Sequence, residues 1–172
     1  MTENKLPEPW LRGALGEVPP VQRAVLHALQ LAKEDCLRWC GNLSDEQINA
    51  RPHGLASVAF HVRHISRSID RLLTYAEGKA LTDKQLALLK TETEGGANRE
   101  LLFSELDGAI SDGTVRIRAF NPEQLGELRA VGQRGLPTTV AGLLIHVADH
   151  TQRHVGQAIT TAKLVSAQHV IS

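Results

Sequence analysis

The sequence predicts an all-α protein, folded as a single four-helix bundle. Three observations carry that expectation. Apolar residues recur at spacings of three and four through four long segments, the period of a helix that buries one face. Aromatic residues make up only 3% of the chain, so the core rests on Leu, Val, Ile and Ala, a composition that favours helices over a β-sandwich. No segment sustains the alternation of a strand. At 172 residues the chain fits one domain, residues 1–172, because domains mostly run ~100–200 residues.

The elements follow in order. Residues 1–19 are rich in Pro and Gly and read as an extended arm, which Trp10 and Leu11 pin to the body or to a second subunit. The first long helix starts after Pro19-Pro20, since Pro suits a first turn. Val21, Ala24, Val25, Ala28, Leu31 and Ala32 form its stripe, and Gly41-Asn42 stops it. Asp45 to Gly54 reads as a connector. The second long helix opens at Ser57, a good N-cap, and carries Val58, Val62, Ile65, Ile69, Leu72 and Ala76 to Gly78. A long crossover follows, with a short helix over Thr82 to Thr91. The third helix runs from about Asn98 to Phe120 on Leu101, Leu102, Leu106, Ile110 and Ile117, with Gly108 and Gly113 as places for a kink. Asn121-Pro122 ends it, and Gly132, Gly135 and Pro137 mark a further loop. The fourth helix begins near Thr138 or Thr139 and continues to about Val165, leaving 166–172 as a tail. Four long helices with a crossover between the second and third make the bundle.

Charge and composition exclude several classes. Net charge is zero, so nothing points to nucleic acid, whose binders carry a basic stripe. No apolar run approaches the ~20 residues of a membrane span, and Met1 to Pro7 lacks a signal-peptide core. A cytoplasmic location is expected. Cys36 and Cys40, four apart on a helix, point the same way, which is poor disulfide geometry. They read as reduced, buried thiols.

The histidines are the informative feature. Five of the eight fall in two windows, His61/His64 and His146/His150/His154. Histidines four apart on a helix stand one turn above each other, so both rings can reach one metal ion. His146 and His154 lie roughly 12 Å apart along the axis, so the fourth helix has one to spare. At ~100° per residue His154 is nearest the apolar stripe, His150 flanks it and His146 turns outward. The better pair is His150/His154. On the second helix the wheel puts His61 nearer the stripe and His64 at its edge, and does not decide between them. His27, His53 and His169 read as solvated or capped residues. Thr151 stands where a metalloprotease helix has Glu directly after the first His, which discounts that chemistry. No G-x-S-x-G elbow appears either.

Two stretches resemble a known family. Ser57-Val58-Ala59-Phe60-His61-Val62-Arg63-His64-Ile65 resembles the second-helix motif of the DinB-like (DinB/YfiT-type) family, and His146 through Gln157 resembles its last helix. The likeness spans the whole bundle. It implies an up-down-down-up course and one divalent ion, nickel or zinc, held by His64, His150 and His154. It makes His61 and His146 supporting or surface residues, and it implies a homodimer. Some members are thiol-dependent transferases that use mycothiol, bacillithiol or glutathione, while many have no known activity. The leading reading is therefore metal-dependent transfer of a low-molecular-weight thiol to a small electrophile. Its rivals are a noncatalytic, dimeric metal- or ligand-binding stress-response module and a metal-dependent hydrolase. Asp149 is a candidate to orient a ligand ring, Gln157 to hydrogen-bond near the site, and Arg63 and Arg153 to attract an anionic thiol. Gly156 reads as a close-packing position.

Overall fold

A computed structural model describes residues 6–168 of the chain. Four long helices dominate: α1 (Pro20–Cys40), α3 (Val58–Ala76), α5 (Arg99–Arg118) and α6 (Val140–Gln168). Two short ones, α2 (Asp45–Asn49) and α4 (Asp83–Lys90), lie in the connections. The long helices pack as a ring in which α1 and α3 each touch both α5 and α6. Leu29, Ile65, Ile69, Leu73, Leu106, Ile117 and Leu144 fill the centre. Gly113 serves packing rather than a kink. A Cβ there would stand 3.0 Å from Ile69 Cγ2, so its absence lets α5 approach α3 closely.

The caps explain the boundaries. Ser57 Oγ accepts the Phe60 N–H and opens α3, Thr82 does the same for Gln85 and α4, and Asn98 for Leu101 and α5. α2 replaces the expected connector: Ser44 and Gln47 form a reciprocal capping box that a five-residue helix needs. The expected loop around Gly132 is a hairpin, with β1 (Leu128–Val131) antiparallel to β2 (Leu136–Thr139). Its strands have four residues each, too short for alternation to register, and Gly132 and Gly135 turn the chain at positive φ. Leu101 is not part of the core stripe; it faces solvent one residue from the buried Leu102. In α1 the buried line runs Val25, Leu29, Ala32, Cys36 and Cys40, while Ala24 is exposed. Cys36 and Cys40 are free, buried thiols.

Trp10 does not pin the arm to the body: it is 61% exposed and Leu11 is exposed beside it. Pro9 and Val18 are buried instead, and Arg12 forms a two-pronged ion pair with Glu34 at 2.7 Å. α6 continues three residues past Val165, and His169 lies outside the described residues. Among the described residues, no helix is long and apolar enough to cross a membrane.

Candidate metal centre

The site lies where α3 crosses α6. Ser57 starts α3 so that His61 and His64 fall within its first two turns, on the side of α6. His150 and His154 rise one turn apart on α6. Thr139 Oγ1 caps that helix by accepting the Gly142 N–H. His64, His150 and His154 converge, with one nitrogen from each within 4.8 Å of the others. His64 Nε2 stands 2.9 Å from His150 Nε2, and the ring centroids of His64 and His154 are 4.4 Å apart. Phe60 stacks on the His64 ring at 5.5 Å and walls one side.

This arrangement fits a metal ion. Two nitrogens bound at ~2.1 Å to one ion and at right angles stand ~3.0 Å apart, the separation found between His64 and His150. The electrostatics also fit. Burial, reinforced by the neighbouring histidines, pushes His150 and His154 down to about 4 from an ordinary 6.5. Both are therefore neutral at physiological pH, with a lone pair free to bind.

The surrounding contacts differ from expectation in several places. His61 is buried, as the wheel favoured, at 5% exposure. Its Nδ1 lies 3.0 Å from His154 Nδ1, so it holds the His154 ring from behind. Burial pushes it to about 4 as well. His146 is half exposed and pairs with Asp149 at 3.0 Å. Asp149 thus orients His146 and approaches Arg153 at 3.6 Å, and it reaches no ring of the triad. Arg63 is engaged with the backbone oxygens of Thr91, Glu92 and Glu94, so it does not serve an anion. Gly156 is exposed with open space around it, not a packing contact. It lines a cavity of about 350 Å³ together with His61, Arg153, Gln157, Leu55 and Thr160. Gln157 therefore lines a cavity that borders His61. His27 is buried rather than solvated, and its Nε2 has no hydrogen-bond partner among the described residues. His53 is exposed at positive φ in a turn.

The family model of the DinB superfamily matches residues 28–158, which include all three converging histidines. The chain belongs to the DinB superfamily. A crystal structure of a conserved protein of a locus from Enterococcus faecalis has the same fold as this DinB chain, with a TM-score of 0.71 at 18% identity. The likeness covers 86% of this chain and 98% of that one. No curated protein matches the chain.

One residue of this DinB site escaped the sequence reading. Glu92, in the crossover after α4, places Oε2 2.6 Å from His64 Nδ1 and Oε1 2.6 Å from Arg71. Burial works against its charge, but hydrogen bonds from His64 and Arg71 outweigh it and hold the carboxylate below its usual range. The only available signal was one of two Glu residues, Glu92 and Glu94, among Thr and Gly in an irregular segment. Glu92 lies 28 positions from its partner, and no periodicity links them.

Proposed function

We propose that the chain is a divalent-metal-dependent enzyme, with nickel or zinc held by His64, His150 and His154, that transfers a low-molecular-weight thiol to a small electrophile. One observation carries this reading: two helices bring three imidazole nitrogens, all only partly buried, within 4.8 Å of one another. Three protein ligands leave coordination positions open, the mark of a catalytic rather than a structural site. A divalent ion bound there supplies Lewis acidity and lowers the pKa of a coordinated thiol or water. The protein's own groups do the rest. His61 and Glu92 fix two of the ligand rings from behind. Phe60 shields one face of His64 from water. The cavity beside His61 admits a small molecule, and the exposed Arg153 guanidinium at its rim suits an anionic thiol.

Hydrolysis is less favoured. Both Glu92 oxygens are occupied, by His64 and Arg71, so this carboxylate does not stand free as a base for water. The same reading carries the up-down-down-up course of the four long helices, cytoplasmic residence and a homodimer, which light scattering after size exclusion tests.

The deciding experiment is elemental analysis of untagged protein purified without chelator, beside His64→Ala and His154→Ala. About one equivalent in the parent chain, lost in both variants, is the expected result for a three-ligand site, and it opens a screen of thiols against small electrophiles. No metal after reconstitution with nickel or zinc overturns the reading. Stoichiometric metal without turnover leaves a noncatalytic binding module.

A further inference from the structure

We propose that Glu92 is a positioning residue of the histidine site, delivered to His64 by a ladder of arginines on α3. The inference rests on the metal-binding reading above and deepens it.

The argument begins with cost. The Glu92 side chain is only 5% exposed, and a buried carboxylate is expensive unless it is paired and hydrogen-bonded. Arg71 meets one oxygen and His64 the other, both at 2.6 Å. An ordinary surface-loop residue would not need either partner. The backbone that carries Glu92 has no regular structure, yet it is fixed on α3. Arg63, Arg67 and Arg71 lie four residues apart, so they stack on one face of that helix. Arg63 donates to Glu94 O at 2.7 Å. Arg67 donates to Leu88 O at 2.7 Å and to Thr91 Oγ1 at 2.9 Å. Arg71 takes the carboxylate itself. Three side chains thus set the crossover's position along α3, and Glu92 arrives level with His64.

The consequence is a defined tautomer. A carboxylate only accepts, so His64 Nδ1 carries the proton and donates it to Glu92. The bare Nε2 then faces His150 Nε2, at 2.9 Å. Glu92 stops the ring from rotating and raises the basicity of the nitrogen offered to the ion. Removing such a partner typically lowers metal affinity 10–100-fold.

The test is calorimetric titration of zinc and of nickel into the metal-free full chain, comparing wild type, Glu92→Ala, Glu92→Gln and Arg67→Gln, each checked for helicity. Glu92→Ala is expected to bind ~10–100-fold more weakly. Glu92→Gln keeps an oxygen acceptor without the charge and should recover part of that loss. Arg67→Gln removes one rung of the ladder without touching His64 or Glu92 and should bind more weakly than wild type, though less weakly than Glu92→Ala. Nitrogen-15 NMR of the metal-free protein should find the His64 proton on Nδ1 in wild type and shared between both nitrogens in Glu92→Ala. Wild-type affinity in Glu92→Ala, or in Arg67→Gln, overturns the proposal while leaving the three-histidine site standing. Should Glu92→Ala fail to fold, Glu92→Leu takes its place, and a wild-type affinity with an unchanged His64 tautomer in that acceptor-free variant overturns the proposal. A wild-type chain that takes no metal overturns both readings.

Discussion

Two pairs of potential metal ligands stand four residues apart on helices of this bundle: Cys36 and Cys40 on α1, His150 and His154 on α6. Both turn inward, and both are affected by burial, with opposite results. Burial disfavours whichever form is charged. It pushes the Cys40 thiol up to about 12, and Cys36 higher still, so the thiolate that would bind a metal does not form. It pushes His150 and His154 down to about 4, so the imidazolium that cannot bind does not form. One physical effect disarms the first pair and arms the second. The pairs differ also in what they face. His64 comes across from α3 to meet the histidines, whereas among the described residues no third ligand joins the cysteines. Spacing along a helix is therefore half of a metal site, and the opposing helix and the protonation state supply the other half.

The widest separation between the two pairs should appear in metal content. Replacing His150 and His154 together with Ala should take bound metal from about one equivalent to none, and Cys36→Ala with Cys40→Ala should leave it unchanged. Loss of metal in the cysteine variant would mean that the thiols reach the ion. The next effect is reactivity. In the native protein both thiols should resist alkylation at pH 8, and both should react promptly in denaturant, because the thiolate is the nucleophile and native burial withholds it. Rapid native labelling would show that α1 opens far more readily than its packing implies.

Much of this contrast was legible in the sequence, and the part that was not has a physical reason. Helix periods, the N-caps at Ser57, Thr82 and Asn98, and the His150/His154 pair are all local signals, settled within a turn or two of chain. The inward turn of His61 was legible by the same rule. What it does there was not, because its partner His154 is 93 residues away. Glu92 is the extreme case, since its burial is created by Arg71 and His64 on another element. The Ser44/Gln47 capping box was visible, but a five-residue helix gives no apolar period to draw attention to it. Trp10 does not pack on the body, where Pro9 and the Arg12–Glu34 pair already fix the arm.

Acid should sharpen the same comparison. His61, His150 and His154 have folded values near 4 against 6.5 for the free side chain. Between those values the unfolded chain binds more protons than the folded one, so stability rises with pH. Metal-free protein should accordingly lose stability as pH falls from 6.5 toward 4, with the contribution fully present above 6.5. The cysteines add nothing in that window. Denaturant titrations at pH 7.5, 5.5 and 4.5 measure this, and substituting His61 with Phe should flatten the slope. An unchanged midpoint across the series would mean that the histidine cluster is more hydrated than its burial indicates.

The smallest expected effect tests the claim that spacing alone is not a site. His146 stands four residues before His150, as His150 stands before His154, and its ring centroid lies 5.2 Å from that of His150. By spacing alone the two pairs are equivalent. In the fold, His146 is half exposed and its Nδ1 is given to Asp149 at 3.0 Å, while His154 meets both His64 and His61. His146→Ala should therefore keep its metal and change stability by no more than about 0.5 kcal/mol, as expected for a surface position. A tenfold loss of affinity would instead place the ion one turn nearer the start of α6, with His146 and His150 as its ligands. The exposed side of the helix would then carry the chemistry.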